Sequence, residues 1–347
     1  MSAEELAHAR IVSTDNRVSI IGVGGAGNNL LSHAIGSGVS PTHCVAVNTD
    51  RSQLSKSPAR NKVLLGEPSP DGGTMEDVQL RQDLHMSVHR VIPFTDASDF
   101  TIVVAGLGGE TATGAAPLIA QWSRTQVRPV VSVVAIPFIH ERARRFVALR
   151  GLKKMVEACD CTIVIDNSVG SENPSSAERR ADELASIAVS SLTDLVSKMA
   201  AGQKQEFRRI LSLGPVATLC STALRPGQTL QSAVFEALKN PSAGLPLART
   251  RGAILVYRGP RHVSDGQAAQ AYETLESLTG HPLGFLHGNV ELDAEPRICL
   301  LLTGYDYGAT VRTFVEFIED LYDLEYLQSG PGSPTRLQMP LFQMEEA

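Results

Sequence analysis

A chain of 347 residues with 43% hydrophobic and 20% charged content has the balance of a globular protein long enough for two domains, which excludes a disordered chain or a small stapled scaffold. Lys and Arg total 31 against 37 Asp and Glu, a net charge of -6, so no global basic field awaits nucleic acid or an anionic lipid surface. Five cysteines (Cys44, Cys159, Cys161, Cys220 and Cys299) without CxxC spacing predict neither a disulfide framework nor a metal site. Residues 1–16 carry Glu4, Glu5 and Asp15 with no apolar core, and no apolar run approaches the roughly 20 residues that span a bilayer. A cytoplasmic location without membrane insertion is expected.

In chain order, Arg17-Val18-Ser19-Ile20-Ile21 reads as a buried strand that stops at a glycine cluster, residues 22–27, and an apolar-periodic helix over 30–35 follows. A second strand, Cys44-Val45-Ala46-Val47, ends at Asn48-Thr49-Asp50, completing a βαβ unit. The pattern repeats with a strand at 63–65, a helix over 76–91, a strand at 100–105, a helix from Ala115, and strands at 130–134 and 161–165. Near-continuous apolar strands alternating with helices predict an α/β fold, a doubly wound parallel sheet covered on both faces. Residues 175–199 read as one long helix with Leu184, Ile187, Leu192 and Leu195 near one face, joining a second, smaller αβ region with strands at 252–257 and 297–302. The expected organisation is a lead at 1–16, a nucleotide-binding domain at 17–173, a central helix at 174–201, an αβ domain at 202–327, and a linker with an apolar tail at 328–347.

A strand, a glycine loop and a helix make a phosphate site, because glycine lets backbone N–H groups approach oxygens while the helix N-terminus carries partial positive charge. The loop at 22–27 alone also suits a dinucleotide-binding dehydrogenase, with Asp50 at about the distance of a ribose-holding acid. A second, richer loop, Gly106-Leu107-Gly108-Gly109-Glu110-Thr111-Ala112-Thr113-Gly114, follows another strand. Two such loops on neighbouring strands can grip a polyphosphate from both sides. GxxxxGK[ST] is absent. The bland alternative is that these glycines only make tight turns. Cys159 and Cys161 are expected to point the same way as a buried pair, and no HExxH or GxSxG motif supports zinc or hydrolase chemistry.

These residues resemble the FtsZ branch of the tubulin superfamily, the GTP-dependent filament proteins, over roughly residues 17–327. The loop at 22–28 is similar to the family's first glycine loop, Asn48-Thr49-Asp50 to the motif after its second strand, and residues 106–117 to the tubulin signature. The resemblance implies GTP or GDP, with Mg²⁺ as a possible companion, held by Gly24, Gly25, Asn28, Asn48, Gly72, Gly73, Gly108, Gly109, Glu110, Thr111, Ala112, Thr113 and Gly114. It places a sugar-binding Glu at Glu141, a phosphate-facing Arg at Arg145, a nucleotide-contacting Asn at Asn167, and the guanine-reading carboxylate at Asp182. The plain readings stay open: Glu141 and Arg145 paired with each other at i,i+4, Asn167 in a turn, and Asp182 as a solvated helix carboxylate.

Two departures stand out. Glu110 and Ala112 replace glycines of the family signature; Glu110 either repels a triphosphate or helps hold its Mg²⁺, and any left-handed φ at either position would cost about 1 kcal/mol. After the long helix, the family's acidic loop completes a neighbour's hydrolytic site. Here Gln203, Glu206, Arg208 and Arg209 fill that stretch, and an arginine is no general base at neutral pH. Three readings compete: hydrolysis lost, with the basic charges attracting a neighbour's γ-phosphate; an arginine finger acting in trans; or a solvated basic turn. The expected function is a guanine-nucleotide-binding cytoskeletal protein assembling head-to-tail with itself, with weak or absent GTP hydrolysis. A scaffold that binds a related FtsZ is the alternative, a Rossmann oxidoreductase the third. Residues 337–344 are a candidate partner-binding tail, equally readable as a segment tucked onto the body.

Overall fold

The computed structural model describes residues 17–66, 87–124, 128–170, 174–260 and 262–314. The expected lead, the linker and tail, Gly72 and Gly73, and most of the helix expected at 76–91 lie outside the described residues. The first half runs β1 (Val18–Val23), α1 (Gly24–Gly36), β2 (Cys44–Asn48), α2 (Arg51–Lys56), β3 (Asn61–Leu64), α3 (Ile92–Asp96), β4 (Phe100–Gly106), α4 (Glu110–Arg124), β5 (Val130–Ile136), α5 (Arg142–Ala158) and β6 (Cys161–Asp166). The long helix α6 (Pro174–Lys198) leads to α7 (Ala201–Leu211), β7 (Val216–Ala223), α8 (Leu230–Leu238), β8 (Gly252–Gly259), α9 (Asp265–Thr279), β9 (Gly284–Glu291) and β10 (Arg297–Tyr305). Residues 307–314 are again helical.

Among the described residues ten strands join one sheet in the order β3-β2-β1-β4-β5-β6-β7-β10-β8-β9. The first six pair in parallel. The second region is stitched on by a short parallel contact, Thr162 with Val216 and Ile163 with Ala217, after which β10 pairs antiparallel with both β7 and β8. Side chains alternate across the sheet as strand geometry requires. From β1, Ile21 and Val23 enter the core under α4, α5, α8 and α9, while Val18 and Ile20 enter the core under α1, α6 and α7. Leu184, Ile187, Leu192 and Leu195 all face the second core, as the spacing predicts. Cys159 and Cys161 differ from expectation: Cys159 precedes β6 and packs in the first core, whereas Cys161 opens the strand and packs in the second.

The layer that matters most is α1 against the sheet. A Cβ on Gly27 would lie 2.5 Å from the Val104 carbonyl oxygen, and one on Gly106 would lie 2.4 Å from the Ala26 Cβ. The helix therefore seats directly on β4 with only hydrogens between. Gly27→Ala must push α1 off the sheet, and overpacking of this kind costs about 1–3 kcal/mol, to be read as a lowered midpoint in urea unfolding.

Candidate functional site

The site grows from two chain reversals. β1 ends at Val23 and α1 opens at Gly24 with φ +73°, a left-handed conformation that side chains resist. Val23 at its N-cap offers no side-chain acceptor, and none among the described residues is seen capping the helix, so its first-turn N–H groups are open to an acceptor. β4 ends at Gly106, Gly108 takes φ +96°, and α4 opens at Glu110. β1 and β4 are parallel neighbours in register, with Val23 opposite Ala105, and they mark the point where the winding direction of the sheet reverses. Ligands of open α/β sheets bind at such switch points.

Direct contacts tie the loops together. A Cβ on Gly24 would stand 3.2 Å from the Ala112 Cβ. The Thr111 hydroxyl meets Thr49 at 2.9 Å, and the Gly108 N–H donates to Thr113 Oγ1 at 3.0 Å. Among the described residues nothing lies within 4 Å of a Cβ placed on Gly109, so the loop backbone is open to them there. Glu110 and Ala112 belong to α4, where φ is negative, so the strain considered for them does not arise. Gly114 is also within this helix. Gly25 sits under the Gln53 side chain, whose Oε1 accepts from Asn48 Nδ2 at 3.2 Å; Gln53 is a neighbour of the loop that the sequence did not single out.

The asparagines divide by their bonding. Asn48 Oδ1 accepts the Thr49 N–H at 2.9 Å, shaping the turn, and Asp50 caps α2 through Ser52 and Gln53 rather than standing free for a ribose. Asn28 Nδ2 donates to the Val47 carbonyl at 3.0 Å, leaving its buried Oδ1 over Gly22 without a partner among the described residues. Asn167 Oδ1 is likewise buried and unpartnered at the end of β6. A buried acceptor with no donor is costly unless a ligand or water supplies one, so these atoms fit a polar ligand at this edge.

Arg145 is placed differently from expectation. It is only 1% exposed and forms a two-pronged pair with Asp166, at 2.9 and 2.7 Å, while also donating to the Pro137 carbonyl. Glu141 pairs with Arg144, not Arg145, and accepts the Phe138 N–H at 3.2 Å. The reason is Asp166: a buried carboxylate ending β6 must be matched, and the nearest fork takes it. Its only trace in the sequence is an acid closing an apolar strand. Asp182, on α6, bonds His33 Nε2 of α1 at 3.2 Å; burial raises its carboxyl above the ordinary range, with His33 opposing and Glu178 reinforcing the shift.

The loop after α6 is helical almost at once. Gln203 is buried, and its Oε1 accepts the Ala200 N–H at 3.1 Å. Both Glu206 oxygens are taken by Arg209, at 2.8 and 2.6 Å, and Arg209 also reaches the Leu283 carbonyl at 3.1 Å. Arg208 is exposed on the same helix. These four residues lie on α7, apart in sequence and element from the glycine loops.

Substitutions separate the roles of the two loop glycines. Gly108→Ala forces a left-handed side chain and places its Cβ 2.7 Å from the Arg144 carbonyl oxygen, so it is expected to cost about 1–3 kcal/mol. Gly109→Ala meets nothing and should stay within about 0.5 kcal/mol, both read by thermal unfolding.

Comparison with known proteins agrees with this geometry. The model of the Tubulin/FtsZ family, GTPase domain, matches residues 17–169. The cell division protein FtsZ 1 of Pyrococcus horikoshii is 30% identical over 304 residues, covering 83% of this chain and 81% of that protein. The solved structure of an empty FtsZ dimer from M. jannaschii superposes with a TM-score of 0.72 and 26% identity, over 84% of this chain and 89% of that one. A GTPγS-bound protofilament of CetZ2 from Haloferax volcanii gives 0.70 and 25%, over 89% and 99%. On the shared loops, sheet and length, the chain belongs to the tubulin/FtsZ family.

Proposed function

We propose that this protein binds a guanine nucleotide across its two glycine loops and assembles head-to-tail into filaments, with little or no GTP hydrolysis. The observation that carries the reading is the pair of helix starts, Gly24 and Gly108-Gly109, after adjacent parallel strands, with the unpartnered Asn28 acceptor on the first of these helices. Backbone N–H groups at these starts would take the phosphates, with Thr111 and Thr113 at the same loop. Asp182 would accept two N–H donors of guanine, which adenine lacks in that arrangement. The GTPγS-bound protofilament among the structural relatives supports both halves of the proposal.

The expectation of weak hydrolysis is supported by α7. A water at a neighbour's γ-phosphate needs a carboxylate turned toward it as base, and the one acid of this stretch, Glu206, is turned onto Arg209 of its own helix. Gln203 is buried, with its Oε1 accepting the Ala200 N–H at its own helix start.

Titrating the protein with GTP and ATP in Mg²⁺ while following light scattering and phosphate release tests this. GTP should bind in preference to ATP and induce scattering above a threshold protein concentration, with phosphate release near background. Equal affinity for ATP, or no binding, contradicts the nucleotide reading, and release that climbs with concentration contradicts the hydrolysis reading. Sedimentation only with an added FtsZ would favour a scaffold.

Asp182→Ala should weaken GTP roughly 10- to 100-fold, the worth of charge-assisted hydrogen bonds at about 1.5–3 kcal/mol. Because the Asp182 carboxyl is raised, it protonates and loses its acceptor role at a higher pH than an ordinary carboxylate as pH falls. GTP affinity measured by calorimetry should therefore drop on mild acidification, and Asp182→Asn should flatten that dependence.

A further inference from the structure

Arg145 lies deep in the protein, beside the second glycine loop, and a buried cation persists only where its charge is matched. Asp166 matches it through Nη1 and Nη2, and the Asp166 carboxylate is itself fixed by accepting the Ser168 N–H at 2.9 Å. Through Nη1 the same guanidinium grips the Pro137 carbonyl at the loop before α5. That loop and the first turn of α5 form the wall behind Gly108, whose absent Cβ would stand 2.7 Å from the Arg144 carbonyl oxygen and 2.8 Å from Pro137 Cγ. On its other side the guanidinium carries the ring of Phe314, with its central carbon 5.5 Å from the ring centroid. Phe314 is buried on the helix at 307–314, which is tied to α5 by the Tyr307 hydroxyl donating to the Leu149 carbonyl at 3.2 Å.

We propose that Arg145 is a positioning residue of the nucleotide site: with Asp166 it holds the wall on which the second glycine loop rests, and the helix at 307–314 bears on that wall through Phe314. The inference deepens the proposed function and rests on the glycine loops being the phosphate site. It follows that phosphate affinity depends on the balance of the buried pair and responds to how the helix at 307–314 is seated. The pair is also a coupling element between the ends of the chain's described fold, because β10 delivers that helix from the second region to the first. The Nε donor of Arg145 is buried without a partner among the described residues, and Nη2 has a second N–H beyond the one given to Asp166, so a direct phosphate contact would use one of these two. A positioning role and a direct contact make opposite predictions for charge-neutral replacement of both partners.

The full-length protein is titrated with GTP and with guanosine, and the ratio of the two affinities isolates the phosphate part of binding from the base and from general loss of structure. Arg145→Met and Asp166→Leu, each of which strands one buried charge, should lower that ratio at least tenfold. The double replacement, which strands none, should regain at least threefold over Arg145→Met. A double variant as impaired as Arg145→Met would assign Arg145 a direct phosphate contact and overturn the proposal, as would a ratio that none of the variants moves. If either single variant fails to give a cooperative thermal transition, Phe314→Ala loosens the guanidinium from its other face. It should lower the ratio about threefold, and an unchanged ratio overturns the proposal. Failure of the unaltered protein to bind GTP at all would instead refute the functional reading itself, and this inference with it.

Discussion

The close seating of α1 on β4 is the constraint from which the rest of the site follows. Gly27 against the Val104 carbonyl and Gly106 against Ala26 leave no room for a side chain, so the helix start at Gly24 is held level with the end of β4. The parallel pairing of β1 with β4 then sets α4 beside it, and the two loops meet at Gly24, Ala112, Thr49 and Thr111. Two helix N-termini stand side by side here, where the sheet changes winding direction, and under the proposed function their backbone N–H groups would receive the anion.

The polar groups around these helix starts fall into two kinds. Asn48, Asp50 and Glu141 spend their oxygens on neighbouring backbone N–H groups and so shape loops. Asn28 and Asn167 keep a buried acceptor unspent. Arg145 stands between the two kinds, its Nη1 and Nη2 held by Asp166 and Pro137 while its Nε has no partner among the described residues. Under the proposed function, with Arg145 held by Asp166, affinity would lean on helix N–H groups, which makes the geometry of the loops, and of the wall behind Gly108, the quantity that matters. The same commitment recurs on α7, where Arg209 holds Glu206 and the stretch presents an ion pair in place of a free acid.

Much of the parallel half was legible in the chain because strands buried on both faces read as continuous apolar runs, and β1, β2, β4, β5 and β6 announce themselves that way. The long helix was legible from the spacing of Leu184, Ile187, Leu192 and Leu195, each of which is buried. β7 and β9 escaped, since their mixed sequences, VATLCSTA and GFLHGNVE, carry hydroxyls, glycines and a histidine among the apolar positions. The partner of Arg145 was not legible either: Asp166 stands 21 residues away, and only the alignment of α5 over β6 brings them together. Local spacing suggested Glu141 for it, yet the helix start places Glu141 beside Arg144. Sequence thus reports the elements and their loops well, and reports pairings across elements poorly, because those depend on register that no single segment encodes.

A crystal structure of the protein with a bound guanine nucleotide tests the central claim most directly. The account predicts phosphates within hydrogen-bond distance of the backbone N–H groups at Gly24-Gly25 and Gly108-Gly109, the base against α6 near Asp182, and the Arg145–Asp166 pair intact. Phosphates bound elsewhere, with no ligand atom at either helix start, would contradict it.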